Sequence, residues 1–332
     1  MKSILMGGDK ILEVFDWNTR ETLIREAGLD CTPYQKEDIL SSPEQFKDTE
    51  YIFSTWGMPA FSEEEIAQYL PSLKAVFYGA GTVKGFAREF LQSGVKIFSA
   101  WGANAVPVAE YTIAQIILAN KGFYLASRRC TSLLGRGKSD GYFHTMPGNY
   151  GVRVGIIGAG MVGRLVLQML KPYHLQVLVY DPFLSEENAR KLGAKKASLE
   201  EIFETCQTIS NHVANLPETV GMFDYRLFSR MKENAVFINT GRGAQVVEAD
   251  LIRALEEKPD RTAVLDVTWP EPPVEGSQFY TLENVFLTPH IAGSAGLEVA
   301  RMGEYMLEEF RKLESGEPCQ YEVSLQMLET MA

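Results

Sequence analysis

Polar residues follow four short apolar runs in the second half of the sequence, namely His212, Arg242, Asp266 with Glu271, and His290. A histidine titrates near neutral pH and can therefore exchange a proton with a bound molecule. A carboxylate beside it can orient the ring and stabilise its charged form, and an arginine can bind an anion through two hydrogen bonds. Singly, each could be a solvated loop residue, a surface acid or a buried histidine. At the carboxyl ends of parallel strands, where ligands bind in open α/β sheets, together they would form one reactive site.

A glycine-rich turn organises the elements that must position these residues. A β-branched run at 154–157, typical of a buried parallel strand, leads directly into Gly158-x-Gly160-x-x-Gly163. An apolar pattern at helical spacing follows, and then a second β-branched run that ends at Asp181. This order of elements predicts a dinucleotide-binding Rossmann unit, and it disfavours the alternative of an ordinary strand-to-helix turn.

Each part of this unit has a physical task. Gly158 permits the tight turn, Gly160 lets a pyrophosphate approach the backbone, and Gly163 lets the helix pack against the strand. The helix N-terminus offers free N–H groups and a positive dipole end to the phosphates. The Asp181 carboxylate can then accept hydrogen bonds from the ribose hydroxyls.

Alternating strand and helix patterns predict an α/β fold with parallel sheets, and a chain of 332 residues is expected to form two domains. We predict strands at 2–6, 51–54, 73–78, 95–98, 176–180, 207–212, 235–239, 262–267 and 285–287. Helices are predicted at 19–27 and 248–255, with a buried helix at 108–120 that begins after Pro107. We expect the chain to cross between domains near 101–105, a polar connection at 138–151, and a closing amphipathic helix at 298–314.

Composition limits the classes of partner. The net charge of −11 argues against nucleic acid and against an anionic membrane, so an anionic small substrate needs a locally placed cation. No signal peptide is expected at 1–16, and the apolar stretch 105–120 is too short for a membrane span. Four scattered cysteines are typical of a reducing cytoplasm and indicate no metal site.

The chain resembles the D-isomer-specific 2-hydroxyacid dehydrogenase family over nearly its whole length. The residues that carry the resemblance are G-I-I-G-A-G-M-V-G with Asp181, N-T-G-R-G at 239–243, L-D-V-T-W-P-E-P at 265–272 and T-P-H-I-A-G at 288–293. The resemblance implies two doubly wound parallel-sheet domains. A flavodoxin-like substrate-binding domain would comprise residues 1–101 and 296–332, and a Rossmann NAD-binding domain residues 102–295. It also implies a homodimer, to which the apolar helix at 108–120 would contribute.

The resemblance further implies the residues of the site. Arg242, Glu271 and His290 would be catalytic, and Asp266 would meet the nicotinamide carboxamide. Cofactor contacts are implied for the glycine turn with Asp181, for the backbone N–H groups of Met161 and Val162, and for Val213, Ala214, Thr219, Thr240, Gly241, Arg242 and His290.

The implied activity is hydride transfer between NAD(H) and a D-2-hydroxyacid/2-ketoacid pair. His290 would take the hydroxyl proton in oxidation and return it in reduction, with Glu271 supporting its charged form. Arg242 would bind the substrate carboxylate and polarise the carbonyl. The alternative is an NAD(H)-sensing binding protein of the corepressor kind on the same fold, which would keep the same three residues.

Departures from the family pattern leave the identity of the substrate open. Ala214 stands where relatives usually have proline, and Lys84 stands near the place of an aspartate in the glycine-rich loop 79–85. Trp56 and Met58 follow a strand and are predicted to shape the pocket for the substrate's side chain, although Trp56 could instead cover core.

Overall fold

The structure is a computed structural model that describes residues 2–329. The chain divides into two compact units, one formed by Met1–Asn104 with Ser294–Ala332 and the other by Ala105–Gly293. The sequence placed these crossings after residues 101 and 295, whereas the units change after residues 104 and 293.

The first unit contains a six-stranded sheet in the order β13-β5-β4-β3-β1-β2. Its five parallel strands follow the 2-1-3-4-5 order of flavodoxin-like folds, and β13 pairs antiparallel with β5 at the edge. The strands are β1 (Ser3–Met6), β2 (Leu29–Tyr34), β3 (Tyr51–Ser54), β4 (Ala75–Tyr78), β5 (Lys96–Ser99) and β13 (Glu322–Val323). The helices are α1 (Ile11–Val14), α2 (Trp17–Ala27), α3 (Lys36–Ser41), α4 (Pro43–Phe46), α5 (Glu63–Tyr69), α6 (Ala87–Gln92) and α15 (Ala300–Ser315).

Alternation along the strands gives this sheet two apolar faces. In β3, Ile52 enters the cluster on one face, whereas Tyr51 and Phe53 enter the cluster on the other. Both clusters consist of buried residues covered by helices, as expected for a doubly wound sheet.

The second unit contains a seven-stranded parallel sheet in the order β12-β11-β10-β9-β6-β7-β8. Its strands are β6 (Arg153–Ile157), β7 (Gln176–Tyr180), β8 (Lys195–Lys196), β9 (Thr208–Asn211), β10 (Val236–Asn239), β11 (Thr262–Leu265) and β12 (Val285–Leu287). Its helices are α8 (Phe123–Arg129), α9 (Leu133–Phe143), α10 (Met161–Leu170), α11 (Glu186–Lys191), α12 (Leu199–Thr205), α13 (Tyr225–Phe228) and α14 (Glu248–Glu257), and α7 (Trp101–Asn120) leads into the unit.

This strand order is that of a Rossmann fold, and the order reverses between β6 and β9. Such a switch point opens a crevice at the carboxyl ends of the strands, where a ligand can bind. The predicted fold class, α/β with two doubly wound domains, is confirmed.

Three predictions about the elements are wrong. The helix expected to begin after Pro107 begins at Trp101, so Pro107 lies inside α7. Small residues precede the proline, and the Asn104 N–H already bonds to Ala100 O at 3.2 Å, so the helix extends backwards at the loss of one backbone bond. The connection predicted at 138–151 is helical at its beginning, because α9 continues to Phe143. The last predicted helix does not close the chain, since β13 follows it.

Candidate active site

The glycine turn joins β6 to α10 through close backbone contacts. Gly158 has φ +90°, and a Cβ on it would lie 2.7 Å from the carbonyl carbon of His212. A Cβ on Gly163 would lie 2.0 Å from the Gly158 oxygen, so only glycine allows this approach. A Cβ added at Gly160, in contrast, would meet none of the described atoms within 4 Å. The turn is thus tight on its inner side and open at Gly160, as the pyrophosphate of a dinucleotide requires.

The N-terminus of α10 supplies the groups that such a pyrophosphate needs. Gly160 is the N-cap, and Met161 and Val162 are the first helical residues. Their N–H groups have no acceptor within the helix, and they lie at the positive end of its dipole. The residues present therefore fit a dinucleotide phosphate group.

Asp181 follows β7 and is held by the backbone. Its Oδ2 accepts a hydrogen bond from the Ala159 N–H at 2.7 Å, and its Oδ1 accepts one from the Phe183 N–H at 2.8 Å. Each carboxylate oxygen has a second lone pair, so the fixed group can still accept hydrogen bonds from ribose hydroxyls.

His212 lies at the end of β9 and is buried. Its Nε2 lies 2.9 Å from Ser210 Oγ, and its Nδ1 lies 3.4 Å from Thr240 Oγ1. Burial lowers the pKa of His212 to about 3. The ring is therefore neutral at neutral pH, and each of its two nitrogens faces a hydroxyl group of the protein.

A buried amide network that the sequence analysis missed joins the loops after β9 and β10. Asn211 Nδ2 donates to Asn239 Oδ1 at 2.9 Å and also to Gln245 Oε1. Gln245 Nε2 lies 2.9 Å from both carbonyl oxygens of Val213 and Ala214. Polar residues that end otherwise apolar strands, as Asn211 and Asn239 do, were the available signal for this network.

Two predicted cofactor contacts, Thr219 and Gly241, are closely surrounded by residues at the ends of β9 and β10 and in the loops that follow. Thr219 Oγ1 donates to Ala214 O at 2.8 Å and accepts from the Leu216 N–H at 3.0 Å. Gly241 is buried, and a Cβ on it would lie 2.8 Å from Asn211 Nδ2. The structure thus gives these residues a role in shaping the loops, and their contact with a cofactor stays a prediction.

Arg242 lies in the loop after β10, where its Nη1 donates to Gly241 O at 2.8 Å. Burial lowers the pKa of the guanidinium, and the negative charge of Glu271 opposes that shift. Arginine nevertheless remains charged at neutral pH. The site therefore holds a partly buried cation under the influence of the Glu271 carboxylate.

His290 and Glu271 form a hydrogen-bonded pair. His290 Nδ1 lies 2.7 Å from Glu271 Oε1, and the two side chains are 50% and 40% exposed. His290 has φ +56°, a conformation uncommon for residues other than glycine but enriched for histidine. With Nδ1 bound to the carboxylate, Nε2 is the ring nitrogen available to exchange a proton with a ligand.

Asp266 fastens the turn that carries His290. Its Oδ1 accepts hydrogen bonds from Thr288 Oγ1 at 2.6 Å and from the Ile291 N–H at 2.8 Å, and its Oδ2 accepts one from the Ala292 N–H at 2.9 Å. The sequence assigned Asp266 to the cofactor, but it gave no signal of this positioning role. Both roles are compatible, because Oδ2 retains a lone pair.

The predicted specificity residues belong to the first unit. Trp56 follows β3 and is 39% exposed, while Met58 packs partly against the cluster that contains Ile52. Lys84 follows β4 and is exposed.

Within the described part of the chain, no group of three His, Cys, Asp or Glu side chains could hold a metal ion. Among residues 2–329, no helix combines the length and apolar character needed to cross a membrane.

A Rossmann sheet with this glycine turn defines a dinucleotide-binding protein, and the His290–Glu271 pair with Arg242 adds groups suited to proton transfer. The sequence model of the NAD binding domain of D-isomer specific 2-hydroxyacid dehydrogenases matches residues 121–292, about half of the chain. The chain therefore belongs to the D-isomer specific 2-hydroxyacid dehydrogenase family, and NAD is its cofactor.

Two proteins illustrate the sequence similarity of this chain to known dehydrogenases and reductases. A D-3-phosphoglycerate dehydrogenase of Archaeoglobus fulgidus is 30% identical over 268 residues, which cover 80% of this chain and 50% of that protein. A glyoxylate reductase of Korarchaeum cryptofilum is 29% identical over 293 residues, which cover 87% of this chain and 86% of that protein. The chain spans about half the length of several curated relatives that it matches, between 50% and 58% for three of them.

Solved structures share the fold. A phosphoglycerate oxidoreductase from Rhizobium etli matches with a TM-score of 0.80 at 21% identity, over 98% of this chain and 99% of that chain. At this identity the likeness supports the architecture alone.

Proposed function

We propose that the protein transfers a hydride between NAD(H) and a D-2-hydroxyacid/2-ketoacid pair, with His290 as the acid/base. The hydrogen bond of 2.7 Å between His290 Nδ1 and Glu271 Oε1 is the observation that carries this proposal. It presents a half-exposed histidine that is oriented by a carboxylate, at the carboxyl edge of a sheet that binds NAD.

The chain's residues then have distinct tasks. NAD(H), when bound, would supply or accept the hydride at C2 of the substrate. His290 Nε2 takes the hydroxyl proton in oxidation and returns it in reduction, while Glu271 stabilises the charged ring between the two events. Arg242 binds the substrate carboxylate and the developing carbonyl through its forked N–H groups.

A local cation is necessary because the chain as a whole carries a net charge of −11. The partly buried guanidinium of Arg242 acts at shorter range than that overall charge and in a less polar environment. We therefore propose that the substrate is a small anion and that Arg242 selects its carboxylate.

The geometry of the second unit supports a proposal for the coenzyme contacts. We propose that Met161 and Val162 donate backbone N–H groups to the pyrophosphate and that Asp181 holds the adenosine ribose. Asp266 would bind the nicotinamide carboxamide. The loops that contain Val213, Thr219 and Thr240 would complete the cofactor site, together with Ala214 and Gly241. The four free cysteines fit our proposal of a cytoplasmic enzyme.

The test measures whether the purified chain consumes NADH in the presence of each member of a panel of 2-ketoacids. The loss of NADH absorbance reports the consumption. The panel contains glyoxylate, hydroxypyruvate with and without a 3-phosphate, pyruvate and bulkier ketoacids. It includes the kinds of substrate that the names of the relatives indicate, and it covers a range of side-chain sizes. Turnover of at least one substrate supports the proposal. NADH binding without turnover of any would favour the alternative, an NAD(H)-sensing binding protein.

A further inference from the structure

Glu248 connects helix α14 to the loop that carries Glu271. It is the first residue of α14, and its Oε1 accepts a hydrogen bond from the Trp269 N–H at 2.9 Å. Trp269 is two residues before Glu271, so Glu248 holds the backbone immediately ahead of the residue that orients His290. None of the functions proposed above uses Glu248.

The burial of Glu248 distinguishes it from an ordinary acid at a helix N-terminus. It is half-buried, and burial raises the pKa of its carboxyl, while the bond from the Trp269 N–H opposes the shift. A carboxylate loses hydration when it is buried, and a hydrogen bond offsets that loss only if its geometry is kept. The contact with Trp269 therefore restrains the loop as much as it restrains the side chain.

A second contact joins the same two segments. A Cβ on Gly243 would lie 1.9 Å from the carbonyl carbon of Thr268, so the backbone after Arg242 is pressed against the loop. Thr268 Oγ1 in turn donates to Pro270 O at 2.8 Å, which stiffens the loop between this contact and Glu271. Segment 242–248 thus meets the loop at Thr268 through Gly243 and at Trp269 through Glu248.

We propose that Glu248 is a positioning residue for the His290–Glu271 pair and acts through the Trp269 N–H. The inference rests on the proposed acid/base role of His290. The contact at Gly243 fixes the distance between the two segments, and the bond from Glu248 fixes the direction in which the loop leaves Thr268. Loss of that bond frees Glu271 to leave Nδ1 of His290, while the coenzyme turn around Gly160 is untouched.

The experiment compares Glu248→Ala, Glu248→Asp and Glu248→Gln in the full chain. Glutamine retains an oxygen at the same reach and should stay within about threefold of the unmutated turnover. Alanine removes the acceptor and aspartate withdraws it by one methylene, so both should lower kcat about tenfold. Glu256→Ala is the matched control. Glu256 lies in the last turn of the same helix, and its carboxylate also accepts one hydrogen bond, from Gln278 Nε2 at 2.8 Å. This control variant should leave kcat unchanged.

Two readouts separate positioning from a purely structural role. The NADH dissociation constant should change by less than about twofold in Glu248→Ala. The pH at which ketoacid reduction falls to half should move downward, as in Glu271→Gln, and the double variant Glu248→Ala/Glu271→Gln should be little worse than Glu271→Gln alone.

The opposite results overturn the inference. They are an unchanged kcat and pH profile in Glu248→Ala, an effect that adds fully to that of Glu271→Gln, or parallel loss of NADH binding in Glu248→Ala and Glu248→Asp. Failure of the proposed function is recognised separately, because in that case the unmutated chain turns over none of the ketoacids, or His290→Ala itself retains turnover.

Discussion

His290 Nδ1 lies 2.7 Å from Glu271 Oε1 across 19 residues of chain, and the His290 N–H is bound to Asp266 O at 3.1 Å. The side-chain bond fixes the ring, and the backbone bond fixes the turn from which the ring projects. Glu271 and Asp266 both follow β11, and the His290 N–H also lies 3.0 Å from Thr288 O, which directly follows β12. The segments after β11 and β12 together therefore set the position of the proposed acid/base.

Replacement of His290 by alanine is expected to lower turnover by roughly 100-fold or more and to leave NADH affinity largely intact, because a proton-transfer group is lost but no phosphate or ribose contact is. Steady-state kinetics and NADH titration measure the two effects. His144→Ala is the matched control, since His144 Nε2 lies 3.6 Å from Asp140 Oδ2 in an exposed pair outside the site. Near-normal turnover in His290→Ala would contradict the assignment.

Replacement of Glu271 by glutamine is expected to shift the pH dependence of ketoacid reduction. Reduction uses the protonated ring of His290, and the Glu271 carboxylate at 2.7 Å stabilises that charged form. Glutamine keeps the size but not the charge, so reduction should fade at a lower pH than in the unmutated protein. A pH profile of kcat/KM for the ketoacid measures the shift, and an unchanged or upward-shifted profile would refute this role of Glu271.

Strands with regular apolar patterns could be predicted from the sequence, including β12 at a sheet edge, whereas the edge strands β2, β8 and β13 could not. The bounds predicted at 51–54, 176–180 and 285–287 agree with β3, β7 and β12. The edge strand β2 was missed because Leu-Asp-Cys-Thr-Pro-Tyr contains a proline and few apolar residues, which edge strands tolerate. Three glycines in α9 likewise hid a helix whose Ser139 Oγ bonds to Ala126 O at 2.9 Å in α8.

In the candidate active site, too, some residues could be predicted from the sequence and others could not. Glu271 and His290 were predicted because they stand in short motifs that follow strands. The tasks of Asp266 and Gln245 in holding the loops were not, because most of their partners are backbone groups, which a sequence does not identify. Glu248 resembles any acid at a helix start, and only the 2.9 Å contact with Trp269 distinguishes it.

His212 is expected to make the protein less stable as the pH falls. Its pKa is lowered by burial from an ordinary value of 6.5 to about 3, so between these values the unfolded chain binds a proton that the folded chain excludes. Its contribution to stability is therefore present above pH 6.5 and is lost as the pH falls through that window. From pH 7 to 5 this residue should remove about 2 kcal/mol from the free energy of unfolding.

Denaturant unfolding at several pH values checks this expectation. His212→Gln cannot take up the proton, so its free energy of unfolding should fall less steeply between pH 7 and pH 5, whatever its value at neutral pH. His174→Gln is the control, because His174 is exposed. The same slope in His212→Gln and in the unmutated protein would contradict the prediction.

A homodimer that uses α7 stays a prediction, and the structure sharpens its test. Exposed residues of α7 recur four positions apart at Glu110, Ala114 and Leu118, in a helix that is otherwise buried or half-buried. A narrow stripe with alanine at its centre permits close approach of a second helix. Leu118→Asp should weaken the dimer by about tenfold or more, and Glu21→Ala in the first unit should not. Light scattering at micromolar concentration measures both, and a monomeric unmutated protein would refute the prediction.

The preference for NAD over NADP is expected to depend on Asp181. Its carboxylate is fixed by the N–H groups of Ala159 and Phe183, so it cannot turn away easily from a 2′-phosphate. Two unit charges 4 Å apart repel by about 4 kcal/mol at an effective dielectric constant near 20. Discounted for screening by salt, on the order of 1–2 kcal/mol remains, in addition to the hydrogen bonds of the lost ribose hydroxyl.

A nearby cation could offset this repulsion, and two are close in sequence or structure. Lys196 Nζ donates to Leu184 O at 2.6 Å, and Arg190 Nη1 lies 3.9 Å from Glu186 Oε2. Both are already engaged, so we expect kcat/KM for NADH to exceed that for NADPH by roughly 100-fold. Asp181→Ala should shrink the ratio, mainly through weaker NADH binding, while Glu186→Ala controls for the loss of one negative charge nearby. Equal use of both coenzymes by the unmutated protein would show that Asp181 does not hold the ribose, because a fixed carboxylate there must discriminate against a second anion.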